Sequence, residues 1–156
     1  WMKKNWYWFG REWPYKYVEK KIIAEELLQD KNSGLPNDYK LWVFNGEVKF
    51  INVHFRDKGK TKINIYNRNW EIQNFGMVYE NDLNIIHEKP KNYNKMIDYA
   101  EKMAKELELP FIRIDFYEVN AQVFFGEITF YPTSGFIKFY PNHKELDKKY
   151  GDLLEL

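Results

Sequence analysis

The sequence has no cysteine, no long apolar run and no excess of one charge sign. Without cysteine, its 156 residues can form neither a disulfide nor a thiolate metal site. No run of about 18 apolar residues is present, and the first residues lack the order of a signal peptide. With 24 basic and 23 acidic side chains, the formal charge of +1 creates no global field for nucleic acid. These absences predict a cytoplasmic protein that neither binds nucleic acid nor inserts into a membrane.

The composition indicates one globular unit. Hydrophobic residues make up 44% of the chain and charged residues 30%, which is enough apolar material for a single domain with its own core. The sequence begins at Trp1 rather than at a methionine, which predicts a piece of a longer protein.

Two strand-like runs between Phe111 and Gly135 carry the most concentrated polar chemistry of the chain. Side chains alternate between the faces of a strand, so Arg113 and Asp115 share one face of the first run. In the second run, Glu127 and Thr129 share a face by the same rule. A three-residue loop at residues 120–122 sets Asp115 opposite Glu127 and Arg113 opposite Thr129, whereas a two-residue loop would place them on opposite faces. We predict the three-residue loop, because it collects the charges on one face.

Such a face has two interpretations from the residues alone. Two carboxylates and a hydroxyl are the oxygen ligands that magnesium prefers, often shared with a phosphate. Arg113 beside them offers a permanently charged donor fork for an oxyanion. The same pattern is equally typical of a solvated sheet surface with a cross-strand pair of Arg and Glu. The spacing leaves both interpretations open.

Longer motifs resemble a known family. RIDFY followed by FGEITFYPTSGF resembles the end of the ATP-grasp domain, and NWYWFGREWPYKYVEKKIIAEELLQD and DYKLWVFNGEVKFI look like the TupA-like ATP-grasp family of teichuronopeptide and capsular polysaccharide synthesis. The resemblance runs from about Asn5 to the C-terminus. It implies an α+β fold, the C-terminal subdomain of an ATP-grasp protein with an antiparallel sheet flanked by helices. It also implies that residues 1–156 form one partial domain, with the N-terminal domain and the phosphate-covering subdomain absent or incomplete.

The resemblance also implies a set of site residues. Asp115, Glu127 and Thr129 would hold the magnesium ions of ATP, and Arg113 would stabilise the acyl phosphate as the catalytic residue. Glu25, Glu26, Leu27 and Leu28 would form the hinge that reads adenine, mainly through backbone groups. Asp38 would lie near the ribose with Lys40 following it, and Ser134 and Gly135 would contact the acceptor substrate.

The implied activity is a ligase that uses ATP and magnesium to activate a carboxylate as an acyl phosphate for attack by an amine. Its partners would be a nucleotide and a saccharide or amino-acid substrate of cell-envelope synthesis. Two alternatives remain open at this point: a glycosyltransferase, and a non-catalytic saccharide-binding module that uses the aromatic residues between Trp1 and Tyr17 for stacking. The resemblance further allows residues 1–156 to bind nucleotide without turning it over.

Several elements are predicted around this site. The apolar run from Lys21 to Leu28 is typical of a strand, and Asn45-Gly46 predicts a hairpin over residues 39–55. Helical spacing predicts a core-facing helix from Tyr93 to Leu107 that Pro110 ends, and a second helix from about His143. We expect the first helix to pack on Ile112, Ile114, Phe124 and Ile128. The dispersed histidines His54, His87 and His143 are interpreted as surface or core residues.

Overall fold

A computed structural model describes residues 6–29, 34–78 and 81–155 of the chain. Its longer elements are β1 Asp38–Phe44, β2 Glu47–Asp57, β3 Lys60–Asn67, α2 Tyr93–Glu106, β5 Phe111–Val119, β6 Gln122–Thr129 and α3 His143–Gly151. The shorter ones are α1 Trp6–Gly10, β4 Gly76–Met77, β7 Phe139–Tyr140 and two 3₁₀ turns, Trp13–Tyr15 and Pro132–Gly135.

Five antiparallel strands form the central sheet in the order β3-β2-β1-β5-β6, and β4 pairs with β7 in a small second sheet. The predicted hairpin at Asn45-Gly46 is confirmed: both residues have positive φ, 47° and 77°, which suits a tight two-residue turn between twisted strands. Lys58 and Gly59 make an equivalent turn between β2 and β3. This architecture confirms the predicted α+β class.

Helix α2 covers one face of the sheet. Its buried stripe repeats at helical spacing, as predicted, and consists of Tyr93, Met96, Ile97, Ala100 and Ala104. The stripe belongs to one core cluster with buried residues of the central strands, among them Leu41, Ile51, Ile112 and Ile114. The part of this face that contacts α2 is therefore apolar.

The opposite face is covered over only part of its area. There the C-terminal segment packs a second core, in which Tyr150 of α3 contacts Phe50 and Phe139 at ring distances of 4.8 and 5.6 Å. On this face, the paired positions that precede Trp42 along β1 carry polar side chains instead, beginning with the pair Lys40 and Asp115. This uncovered part of the sheet holds the candidate site.

One predicted strand is wrong. Residues 18–29 form no strand, and Ile22 and Ile23 are 80% and 79% exposed. The apolar run is typical of a strand, but no strand of the described part of the chain pairs with it. Backbone pairing and a covering face, rather than composition, decide whether such a run becomes a strand.

The aromatic stretch near the start does not form one continuous helix. Helix α1 ends at Gly10, and Pro14 lies within the 3₁₀ turn Trp13–Tyr15. None of the helices described is both long and apolar enough to cross a membrane.

Candidate functional site

The β5–β6 hairpin aligns the site, although its turn differs from the prediction. Asn120 and Ala121, with φ of 51° and 59°, form a two-residue turn, so the predicted three-residue loop is wrong. Near the turn, Phe116 pairs with Phe125. The register then shifts by one residue, and Arg113 pairs with Thr129 as predicted. A β-bulge, not the turn, therefore brings the polar residues to one face.

Gly126 lies at this bulge. A Cβ atom there would lie 3.0 Å from the carbonyl oxygen of Asp115 and 3.0 Å from Cε2 of Tyr117, so any side chain would press on backbone and ring. The two-residue turn also changes the role of Phe124, which lies between the turn and the bulge. It pairs with Tyr117 on the cleft side of the sheet, so the prediction that it packs under α2 is wrong; Val123 packs there instead.

Arg113 joins the two predicted metal-binding carboxylates. Its Nε donates to Oδ1 of Asp115 at 2.8 Å and its Nη2 to Oδ2 at 2.9 Å, a bidentate pair. The same Nη2 donates to Oε1 of Glu127 at 2.6 Å, and the Thr129 hydroxyl lies 3.5 Å from that oxygen. Asp115 is 1% exposed, whereas the Glu127 side chain is 62% exposed. The cluster thus extends from the buried Asp115 to the solvent-exposed Glu127.

Lys40 pairs across β1 and β5 with Asp115 and holds its other side. The ammonium donates to Oδ2 of Asp115 and lies 2.6 Å from Oδ2 of Asp38. Burial disfavours the charged lysine, but the charges of Asp115 and Asp38 outweigh it and raise the pKa of Lys40. For Asp38, burial outweighs the ammonium and raises the pKa of its carboxyl.

Asp38 also offers an unused acceptor. Its Oδ1 is buried and has no hydrogen-bond partner among the described residues. A buried polar atom without a partner is destabilising, and a donor from a bound molecule would relieve that cost. This observation fits the predicted position of Asp38 beside a ligand hydroxyl.

A cleft of about 1020 Å³ lies over this part of the sheet. Residues 25–28 line it together with the sheet residues Asp38, Lys40, Asp115 and Glu127. The structure therefore brings the predicted hinge and ribose residues and two predicted metal ligands, Asp115 and Glu127, into one cavity although they are far apart in the sequence. Arg113 and Thr129 are not among the described residues that line it. That size is in the range of cavities that hold small molecules.

His54 lines the same cleft, which the sequence interpretation missed. It pairs across β1 and β2 with Asp38. Burial, and then the charges of Lys40 and Arg113, lower the pKa of His54 to about 4, so the imidazole is neutral at physiological pH. The Asn45-Gly46 turn alone would set Asp38 opposite Val53, and a register shift between Trp42 and Val43 brings His54 to that position instead, so the turn signal in the sequence could not have placed it.

Ser134 and Gly135 do not line the cleft among the described residues. The Ser134 hydroxyl donates to Oε1 of the buried Glu12 at 2.8 Å, which ties its loop to the N-terminal segment. Thr133, Ser134 and Gly135 all have positive φ, 52°, 53° and 81°, a conformation that is strained for threonine and serine. Their contact with a substrate stays a prediction.

The donors suit magnesium in type and spacing. Asp115 and Glu127 each place an oxygen within 3 Å of the same Arg113 nitrogen, so these oxygens are less than about 6 Å apart. No group of three Asp, Glu, His or Cys that could hold a metal occurs in the described ranges. Magnesium commonly takes only one or two carboxylates and completes its shell with phosphate and water oxygens. Asp115 and Glu127, with Thr129 beside them, fit such a shared site.

One of three comparisons with known proteins gives a match. No curated protein matches the chain, and no solved structure matches it. The family model described as TupA-like ATPgrasp matches residues 1–155, which is nearly the entire sequence. The chain belongs to the TupA-like ATPgrasp family.

Proposed function

We propose that the cleft binds ATP with magnesium and that the protein is an ATP-dependent carboxylate–amine ligase. One observation carries the proposal: residues 25–28 line the same cavity as Asp38, Lys40, Asp115 and Glu127. Residues 25–28 lie outside any helix or strand, so their backbone groups could pair with a base, whereas the charged end suits a polyphosphate. Membership of the ATP-grasp family supports the same assignment. We further propose a cytoplasmic setting and an acceptor from cell-envelope polysaccharide synthesis.

The roles of the side chains follow from their positions. The unpartnered Oδ1 of Asp38 would accept a hydrogen bond from a ribose hydroxyl. Asp115, Glu127 and Thr129 would hold magnesium, which when bound neutralises phosphate charge and orients the phosphates. Arg113 would stabilise the oxyanion of the acyl phosphate and of the tetrahedral species formed when the amine attacks. Lys40 keeps Asp115 paired and in place from the opposite side.

A binding titration tests the nucleotide half of this proposal. A non-hydrolysable ATP analogue is titrated into the chain by calorimetry, with and without magnesium. We expect binding to depend on magnesium. The Asp115→Asn variant should bind the analogue about 10- to 100-fold more weakly, the range seen when groups supporting a metal are removed. Asp57→Asn is the matched control, because Asp57 lies at the end of β2 and pairs with Lys62 outside the cleft. Equal binding by both variants would contradict the proposed site.

A second candidate, a saccharide-binding module, is favoured by one observation. Trp8, Phe9, Trp13 and Tyr17 are exposed near the start of the chain, where their rings could stack on sugars. The double variant Asp115→Asn, Glu127→Gln separates the two functions. A saccharide module would keep its carbohydrate ligand and show no affinity for the nucleotide, whereas an ATP-grasp site would lose the nucleotide.

A further inference from the structure

Asp115 is paired with two cations at once, and these two cations have different surroundings. Lys40 sits between Asp115 and Asp38 on neighbouring strands, and Arg113 bridges Asp115 to Glu127. We propose that the Arg113 guanidinium occupies the cation position between Asp115 and Glu127 and exchanges with the divalent metal of the nucleotide, while Lys40 remains in place. This inference rests on the proposed ATP-binding function.

The contacts of Arg113 are those expected of a cation in that position. Nη2 alone lies 2.9 Å from Oδ2 of Asp115 and 2.6 Å from Oε1 of Glu127, so one atom bridges both carboxylates. Nε takes the remaining oxygen of Asp115 at 2.8 Å. A metal ion that binds both carboxylates has to use an oxygen of Asp115, and Arg113 holds both of them. The metal and the guanidinium therefore compete for Asp115.

Lys40 and Arg113 differ in the exposure of their acidic partners. The two side chains are similarly buried, at 13% and 14% exposed, but Lys40 contacts Asp115 and Asp38, which are 1% and 21% exposed. The bridge of Arg113, by contrast, ends on Glu127, whose exposed side chain sits at the edge strand β6. An exposed ion pair contributes little stability, whereas breaking a buried one leaves an uncompensated charge. We therefore expect the metal to displace Arg113, whose pair with Glu127 is exposed, rather than Lys40.

The exchange has a consequence for the reaction. While Arg113 pairs with Asp115 and Glu127, its Nε and Nη2 donors are occupied and cannot bind an oxyanion. Once released, the guanidinium keeps its charge and its planar donor fork is free to bind an oxyanion. The arginine thus becomes available only when the metal has arrived, which couples assembly of the oxyanion site to nucleotide binding.

Binding of Mn²⁺ alone, followed by electron paramagnetic resonance without nucleotide, tests the exchange. Arg113→Gln removes the competing cation, so we expect at least about tenfold tighter Mn²⁺ binding than in the unmodified chain. Adding Glu127→Gln to that variant should abolish the gain. Arg56→Gln is the matched control: it removes an equal charge from the same cleft, but Arg56 makes no ion pair with the acidic side chains that the structure describes. That control should bind Mn²⁺ as the unmodified chain does.

Two results would overturn the exchange: Mn²⁺ affinity unchanged in Arg113→Gln, or raised as much in Arg56→Gln. If Arg113→Gln does not fold, the Nε–H signal of Arg113 is followed by ¹⁵N nuclear magnetic resonance in the unmodified chain, assigned by its loss in Arg113→Lys. Magnesium with the ATP analogue should shift that signal, and a signal that stays unchanged while the analogue binds would also overturn the exchange. Failure of the analogue to bind at all would instead overturn the proposed function.

Discussion

At the scale of single residues, each buried charge of the site is stabilised by an oppositely charged neighbour. Asp115 is almost fully buried, and an isolated carboxylate at that depth would be strongly destabilising. Lys40 and Arg113 between them engage both of its oxygens. Asp38 and Glu127 then pair with the outer sides of these cations. Removing any one member leaves a neighbour with an uncompensated charge, so substitutions here should behave non-additively.

His54 makes this charge arrangement sensitive to pH. Burial and the charges of Lys40 and Arg113 lower its pKa from 6.5 to about 4 in the folded chain. Between these values the unfolded chain binds more protons, so the contribution of neutral His54 to stability is complete above pH 6.5 and is lost as the pH falls toward about 4. The slope attributable to His54 should reach at most about 1.4 kcal/mol per pH unit.

Denaturant unfolding of the unmodified chain and of His54→Gln, from about pH 7 to pH 4.5, measures this slope as a difference. Other groups titrate in both proteins, among them His87, whose pKa burial also lowers. The difference between the two curves therefore isolates His54. Parallel curves over this range would show that the His54 imidazole is not shielded from protonation.

At the scale of elements, the β5–β6 hairpin decides which residues meet. Its two-residue turn alone would set Asp115 and Glu127 on opposite faces of the sheet. The bulge at Gly126 adds one residue to β6 and reverses the alternation beyond it. A site that depends on such a shift should be sensitive to the residue at the bulge.

Gly126→Ala should therefore destabilise the chain and weaken nucleotide binding together. Its Cβ would lie 3.0 Å from the Asp115 carbonyl oxygen and from the Tyr117 ring, so the hairpin must open by tenths of an ångström. Overpacking of this kind costs about 1 to 3 kcal/mol in unfolding free energy. Gly151→Ala is the matched control, because its new Cβ would meet no heavy atom within 4 Å and its φ is not positive. Equal unfolding free energies of the two variants would mean that the bulge can relax.

The turn of the same hairpin makes the opposite prediction. Ala121 has φ of 59°, a left-handed conformation that costs a non-glycine residue about 1 to 2 kcal/mol. Ala121→Gly creates the Asn-Gly pair that the β1–β2 turn already has, so thermal unfolding should occur at a higher temperature. The reverse change at the other turn, Gly46→Ala, should lower it, since φ is 77° and the new Cβ would lie 3.0 Å from Lys105. A lower unfolding temperature for Ala121→Gly would contradict the turn assignment.

These two features show what the sequence could and could not predict. Alternation and helical spacing predicted the hairpins, α2 and the residues of the charged face, because they depend on local periodicity. The bulge was not predictable, since a glycine in a strand is equally typical of a bend or of a close backbone approach. The strand predicted over residues 21–28 was wrong because strand formation needs a partner that local sequence does not specify. The place of His54 depends on a register shift between Trp42 and Val43 in the β1–β2 pair, which the turn residues do not specify.

At the scale of the whole molecule, one face of the sheet both packs against the C-terminal segment and holds the cleft. The α2 side is a continuous apolar core, whereas the other side divides into a packed half and an open half. Tyr150 of α3 lies at the centre of the packed half, with ring contacts to Phe50, Phe75 and Phe139 at 4.8, 5.5 and 5.6 Å. The C-terminal segment thus covers the aromatic rows and stops short of the charged ones.

Tyr150→Ala should separate stability from binding. Removing a buried aromatic ring typically costs about 3 to 5 kcal/mol of unfolding free energy, and hydrogen exchange in α3 and β7 should accelerate first. Tyr150→Phe keeps the ring contacts and is the control, so most of the stability should remain. Because Lys40 pairs with Asp115 and with Asp38 rather than with α3, magnesium-dependent binding of the ATP analogue to the folded variant should be unchanged. A loss of affinity in Tyr150→Ala under conditions where circular dichroism shows it folded would mean that the packed half holds the strands of the cleft in register, and that the two halves of this face act as one unit.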